Sequence, residues 1–528
     1  MISLTADDGR EIGNNLWIES LWENQDIFPP ELMSIIHKLS NKHSQRRRAL
    51  LENRRNRQDL YDSGKLPSYL SSHTQAMELN WRISPIPSDY LCRRVEITGP
   101  VNDPKMVINM LCRNKDGHRA DTAMLDFEDS MKPNWENVLA GYRNLIGAVD
   151  GTLEFVQKDK VYQLDKNDMP GIMVRVRGLQ MEEKKVLVRG KPVSAGLLDL
   201  VVCAFHISHK LISQGKTPKF YIPKCEHFEE ARWWNDLILS IEEELGIKKG
   251  TIKVTFLIET LPAAFQMEEI LFETKERIIG MNVGRWDKIF SDIKVLRNHP
   301  DRISPDRATI NMSKFWMDNY AKRLIKICHY RGALAIGGMS AFTPGKTSQI
   351  IEEQTAKVKS DKDYEAKIGH DGCWVSHPYF ISTALDCFPN KNQLDQMLDD
   401  FPKFPDLLMD GKGPKTMEGL RKNIRVGIAY LEGWLRGIGC VSFDNLMEDL
   451  ATLEISRVQT WQWLYHQITL DSGEKVTIPL LRKLFAEEFN KICEEIKDSP
   501  DRLDYFHQGA MAAEEIFLST EFREFLTI

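Results

Sequence analysis

The 528-residue chain has no run that approaches the ~18 consecutive apolar residues needed to cross a bilayer, so no membrane association is expected. None of its nine cysteines form a CxxC pair, which argues against a zinc ribbon or a thioredoxin-like motif. Their odd number and irregular spacing fit reduced thiols in a reducing compartment. There is no excess of positive charge: 70 Lys+Arg stand against 76 Asp+Glu, a net −6. Non-specific nucleic-acid binding needs a basic face and is therefore not expected. The basic run Gln45-Arg46-Arg47-Arg48 with Arg54, Arg55 and Arg57 is interrupted by Glu52 and Asp59, and reads as a surface or interdomain helix. The opening Met1–Asp8 is acidic and lacks a signal-peptide shape, so secretion is not expected. The closing Phe525-Leu526-Thr527-Ile528 is not an SKL-type address, which leaves the cytoplasm or a peroxisomal or glyoxysomal matrix entered without that signal. Thr343-Pro344-Gly345-Lys346-Thr347 resembles a phosphate-binding loop, but Ser340 stands where the first glycine belongs.

What is present is an ordinary globular composition, 42% apolar and 28% charged, in a chain long enough for several domains. Residues 1–90 read as a polar helical segment, with Leu32, Ile35, Ile36 and Leu39 at helical spacing. From Arg93 eight short apolar runs follow: Val95–Gly99, Thr122–Asp129, Gly171–Arg177, Lys219–Lys224, Ile252–Glu259, Ile278–Gly284, Ala333–Met339 and Cys373–Pro378. Helix-like stretches separate them. Strands alternating with helices imply parallel pairing, and eight such units predict an α/β fold, a (β/α)8 TIM barrel over 91–387. An insertion is expected near 130–170, with Lys158-Asp159-Lys160 as a turn between two short strands. From 388 to 528 helical patterns take over, predicting an all-α C-terminal domain.

In such a barrel reactive side chains sit at the C-terminal ends of the strands. Asp126, Glu128 and Asp129 end the second run, Lys224 ends the fourth, Glu259 the fifth, the sixth runs into Asp287, and His377 stands at the end of the eighth. Arg175 and Arg177, two apart, are expected on one face of the third. Glu259 and Asp287, from adjacent strands, could form an oxygen-ligand site suited to Mg²⁺; a zinc site would want His or Cys. The structural alternative for Glu259 is a carboxylate exposed at a strand end. Arg175 closes an apolar strand and needs a partner when buried, either an acid such as Glu128 or Asp129 or a substrate anion. Cys440 has no visible base nearby and reads as a buried or site-lining thiol.

One later stretch, Asp444 to Arg457, reads as a helix start. Asn445 is a good N-cap with Glu448 three residues on, as in a capping box, and Leu446, Leu450, Leu453, Val458 and Trp461 recur at helical spacing. Asp449 is then a surplus acid, and a candidate for the mobile base that the barrel lacks.

Several stretches together resemble malate synthases of the A type. They are Arg94-Val95-Glu96-Ile97-Thr98-Gly99-Pro100-Val101 with Lys105–Asn109, Asp126-Phe127-Glu128-Asp129-Ser130, and Ile258-Glu259-Thr260-Leu261-Pro262-Ala263. Gly284-Arg285-Trp286-Asp287, Ile336-Gly337-Gly338-Met339, Gly369-His370-Asp371-Gly372 and Leu446-Met447-Glu448-Asp449 follow in the family's order. The resemblance implies a Mg²⁺-dependent Claisen condensation of acetyl-CoA with glyoxylate to (S)-malate and CoA, the glyoxylate-bypass reaction. It implies small-molecule substrates only, and a monomer is compatible with it. It assigns Glu259 and Asp287 to the metal, Glu128 and Asp129 to water around it, Asp449 as base and Arg175 as the enolate-stabilising cation. Arg175, Gly284, Trp286, Asp287, Pro378 and Cys440 would surround the substrates. Alternatives are a malyl-CoA lyase or thioesterase on the same barrel, or a non-catalytic acyl-CoA-binding relative. This chain departs from the family pattern at Lys288, Gln180, Leu450, Tyr379 and Ser442. Lys288 and Tyr379 are expected close enough to the mouth to alter CoA or glyoxylate affinity.

Overall fold

The computed structural model describes residues 9–12, 16–70, 74–497 and 499–527, so the acidic N-terminal stretch lies outside the described residues. Eight parallel strands close into a barrel: β1 (Val95–Pro100), β2 (Thr122–Asp126), β3 (Gly171–Arg175), β4 (Lys219–Ile222), β5 (Lys253–Ile258), β6 (Ile278–Val283), β7 (Leu334–Ser340) and β8 (Gly372–Val375). The ring runs in chain order and closes by β8 pairing with β1 (Val375↔Ile97). Nearly every strand residue is buried, as expected of strands covered on both faces, which is why the sequence shows apolar runs instead of alternation. Register shifts in β7 between Ile336 and Met339, at Gly337-Gly338. A Cβ at Gly337 would lie 2.6 Å from the Glu365 carboxylate, which accepts a hydrogen bond from Gly338 N at 2.8 Å. Glycine permits that close approach.

Helix α1 (Pro30–Asp62) lies across the barrel's outer helices. Leu32, Ile35, Ile36 and Leu39 are buried. Its basic run is structural: the Arg47 guanidinium donates to the carbonyls of Leu179, Gln180 and Met181, and Arg54 pairs with Glu230. The expected turn at Lys158 exists, with Gln157 pairing Lys160 in a two-stranded hairpin. The helix α2 (Ala195–Ser213), between β3 and β4, corrects the reading that no segment is long and apolar enough to span a bilayer. By length and composition it qualifies, yet most of it is buried inside the protein. All nine cysteines are free.

Among the described residues, four long helices follow the barrel and its last helix: α4 (Met417–Leu435), α5 (Leu450–Tyr465), α6 (Ile478–Glu495) and α7 (Leu503–Phe517); α3 (Arg285–Val295) precedes them, directly after β6. Their apolar faces, including Ile424, Ile428, Leu453, Trp463, Leu484 and Phe506, form a second core. The expected helix start at Asn445 is corrected here. Val441–Phe443 and Leu446–Glu448 form an antiparallel hairpin, and Asp444 and Asn445 both have positive φ (47° and 61°), as a type I′ turn requires. The helix starts at Leu450, and its N-cap is Asp449. Glu448 therefore belongs to a strand and does not complete a capping box.

Candidate active site

The C-terminal ends of the strands face a cavity. Arg175, Glu259, Gly284, Trp286, Asp287, Cys440 and Asp449 all line it, together with Trp374 and Ser376, which had been given no role. Pro378 does not line this cavity. It opens the 3-10 turn Pro378–Phe380, and its carbonyl accepts from Asn114 Nδ2. His377 likewise caps that turn, accepting from Tyr379 N. Lys288 points away from the mouth: it is fully buried, bonded to Asp292 and near the Trp316 and Tyr320 rings. That corrects its expected influence at the mouth, because the first turn of α3 aims Asp287 at the cavity and the next residue at the core.

Arg175 ends β3 and is 5% exposed. Its Nε and Nη2 donate to Asp126 Oδ1 and Oδ2 at 2.7 and 2.6 Å. Glu128 and Asp129, the partners proposed from sequence, lie farther from Nη1, at 3.6 and 3.5 Å. The bidentate fork thus belongs to Asp126 on the neighbouring strand, whose register places Asp126 opposite Arg175. Burial alone would lower the Arg175 pKa, but Asp126 outweighs it and holds the guanidinium charged. Arg177 does not share this face. β3 ends at Arg175, and Arg177 turns outward to Asp199 and Glu183 at 2.8 and 2.7 Å.

A second, smaller cavity adjoins the first and shares Asp287 and Ala451 with it. Glu128, Asp129 and Lys224 line it. Lys224 Nζ lies 2.6 Å from Asp129, 3.2 Å from Glu128 and 3.2 Å from Asp287. Its backbone N–H donates to Glu259 Oε1 at 2.6 Å. This central role was missed. The position of Lys224 at a strand end was the only signal, and the backbone turn that aims it, φ 49°, is not legible in the sequence.

Among the described residues no group of three His, Cys, Asp or Glu side chains forms a ready metal cage. The acids nevertheless have spare valence. Glu259 Oε2, Asp129 Oδ1 and Glu128 Oε1 are buried without a hydrogen bond, and Asp287 Oδ1 and Glu128 Oε2 meet the Lys224 charge, at 3.2 Å. Burial, with neighbouring carboxylates, raises the pKa of Glu128 and Asp287, and burial raises that of Glu259. Two carboxylate donors with room for water and a substrate oxygen fit a hard divalent cation such as Mg²⁺, which keeps several non-protein ligands. Gly284 has a local reason to be glycine: a Cβ there would sit 2.6 Å from Glu259 Cβ and 2.7 Å from Oε2.

Asp449 reaches this site from outside the barrel. Its Oδ1 accepts from Thr452 N at 3.2 Å while Thr452 Oγ1 accepts from Asp449 N at 3.0 Å, a reciprocal cap. Oδ2 has no hydrogen-bond partner among the described residues. Burial and then the Asp129 charge push the carboxyl from 3.8 up to about 7, against the opposing pull of Arg175, Thr452 N–H and Lys224. Cys440 lines the same cavity, and burial and the Asp449 charge push its thiol up to about 12, which disfavours the thiolate.

Known proteins resemble this chain along its length. The family models described as "Malate synthase, N-terminal domain", "Malate synthase, TIM barrel domain" and "Malate synthase, C-terminal" match residues 19–75, 171–406 and 414–528. Malate synthase A of Escherichia coli is 42% identical over 96% of this chain and 95% of its own length. Malate synthase of Myxococcus xanthus is 40% identical over 98% and 96%. The glyoxysomal malate synthase of Glycine max is 42% identical over 84% and 81%. With the barrel, the converging acids and the helix-borne aspartate in place, these matches show that the chain belongs to the malate synthase family.

Proposed function

We propose that this chain condenses acetyl-CoA with glyoxylate and hydrolyses the product thioester to (S)-malate and CoA, with Asp449 and Arg175 as the catalytic pair. The observation that carries this reading is that Asp449 and Arg175 line the same cavity as Glu259 and Asp287. An acetyl thioester C–H is a weak acid, so a well-placed base and stabilisation of the enolate must share the barrier. Asp449 takes a methyl proton on its free Oδ2; its raised pKa makes it a stronger base than an ordinary carboxylate. Arg175, held rigid by Asp126, presents a fixed positive charge to the enolate oxygen. The N-terminus of α3, at Arg285–Asp287, offers backbone N–H groups to the glyoxylate carboxylate. Glu259 and Asp287 would hold Mg²⁺, with Glu128 and Asp129 accepting from nearby water. There it would supply Lewis-acid chemistry at the aldehyde oxygen.

A lyase, a thioesterase or a non-catalytic acyl-CoA binder is not favoured, because family matches extend across the helical region that brings in Asp449. The relatives include bacterial proteins and proteins named glyoxysomal, which supports the cytoplasm or a glyoxysomal matrix as the compartment. The test is glyoxylate-dependent release of free thiol from acetyl-CoA, with and without Mg²⁺. Release that needs both glyoxylate and Mg²⁺ is expected. Folded protein that releases no thiol would overturn the assignment.

A further inference from the structure

The base and the charges it must meet stand on different parts of the chain. Arg175, Glu259 and Asp287 are placed by barrel strands, whereas Asp449 caps a helix that follows the barrel. The connection between β6 and β7 bridges the two. Residues 302–307 run along α5: Ser304 N donates to Gln462 Oε1 at 2.9 Å, Trp463 Nε1 donates to Ser304 O at 2.9 Å, and Gln459 Nε2 donates to Pro305 O at 2.6 Å. The strap ends in Arg307, which is buried. Its Nη2 donates to Glu448 Oε1 at 2.6 Å, and its Nη1 donates to Thr452 O at 3.1 Å and Ser456 Oγ at 3.0 Å. Glu448 precedes Asp449, and Thr452 is its partner in the reciprocal cap.

We propose that Arg307 is a positioning residue for the base, pinning both flanks of Asp449 so that its free oxygen meets the acetyl methyl group. This rests on the reading of Asp449 as the base. Arg307 suits the task physically. A planar guanidinium makes three directed bonds at once, so it fixes orientation as well as distance. Two further ties limit the same element. Leu450 N donates to Asp129 O at 3.3 Å and Met447 N donates to Ala341 O at 2.8 Å, but both act on the backbone of one flank or the other. Arg307 alone among the described residues bonds side-chain or carbonyl groups on both sides of Asp449.

A displaced base slows proton abstraction without weakening substrate binding, and about 1 Å of misplacement is worth on the order of 100-fold in rate. The test compares Arg307→Met, Arg307→Lys and Gln462→Met in the full chain, with Mg²⁺. The readouts are kcat, KM for glyoxylate, urea unfolding, and the isotope effect with acetyl-CoA deuterated in the methyl group. Arg307→Met should lower kcat by roughly 10- to 100-fold, leave KM for glyoxylate within about twofold, and raise the isotope effect. Arg307→Lys keeps the charge opposite Glu448 and should recover part of the rate. Gln462→Met removes a strap bond far from the base. It should lower the urea midpoint yet leave the isotope effect unchanged. Glu448→Gln, which keeps the shape and one hydrogen bond, serves if Arg307→Met does not fold, and should shift kcat and the isotope effect in the same direction. The proposal is overturned if Arg307→Met, or Glu448→Gln in its place, retains the wild-type isotope effect, or if Gln462→Met raises it equally. Turnover retained by Asp449→Asn would instead overturn the underlying assignment of the base, so the two failures are distinguishable.

Discussion

Replacing Asp449 by Asn should make the protein more stable and inactive at once. Asparagine is as good an N-cap as aspartate, so its Oδ1 can keep the bond from Thr452 N and the start of α5 should be preserved. What the change removes is a buried negative charge beside Asp129. The carboxyl is raised from 3.8 to about 7, a difference of about 3 pKa units; at ~1.36 kcal/mol per unit the folded state penalises the ionised form by about 4 kcal/mol. The sign follows from proton binding. Between 3.8 and about 7 the folded protein holds a proton that the unfolded chain has released, so folding stability falls as pH rises through that window. The wild-type penalty is complete above about 7 and absent below about 3.8. Urea unfolding of both proteins, in chelator and from pH 4 to 8.5, should therefore show a stability gap in favour of Asp449→Asn that opens with rising pH and reaches up to about 4 kcal/mol. Thiol release by the variant should fall by several orders of magnitude, because the other carboxylates with unbonded oxygens lining the cavity, Glu259 and Asp287, are the ones assigned to Mg²⁺. A stability gap that does not vary with pH would refute the account of the buried charge. Near-normal thiol release would refute the base.

Arg175→Lys should lose the two-pronged bond to Asp126 and reduce kcat by roughly 100-fold, measured by thiol release, since an ammonium does not reproduce a fixed planar fork. Gly284→Ala should fold but push Glu259 aside, weakening Mn²⁺ binding followed by paramagnetic resonance by about 10-fold or more. Acid should destabilise the protein through histidines buried in neutral form. Burial lowers His370 to about 3 and His43 to about 4 from 6.5. The unfolded chain protonates first, so stability is full above 6.5 and is lost as pH falls towards the folded values, by roughly 1 kcal/mol for each histidine at about pH 5.5. His370→Gln should flatten part of that slope in urea titrations.

The alternation of eight Val/Ile/Leu-rich runs with helical stretches was enough for the barrel, because strands covered on both faces need apolar residues throughout and helices need a 3.6-residue period. The same rule placed Arg175, Glu259 and Asp287 at the mouth, since the polar residue that ends such a run is the one left facing the open end of the barrel. Local pattern failed where two patterns compete for the same residues. Asn445 with Glu448 and Asp449 with Thr452 both satisfy a capping rule, and only the pairing of Val441 with Glu448 makes the first a hairpin and the second a helix start. Arg177 was misplaced for a related reason: a period of two holds only while the strand continues, and β3 stops at Arg175.

Sequence alone thus determined the barrel and the identity of the residues that end its strands, because burial and periodicity are written locally in the chain. Tertiary structure alone decided which charges meet. Asp126 is 49 residues from Arg175, Lys224 is 95 from Asp129, and Arg307 is 141 from Glu448. A carboxylate's partner, and with it the pKa that makes Asp449 a usable base, depends on distance and desolvation across elements that no local pattern records.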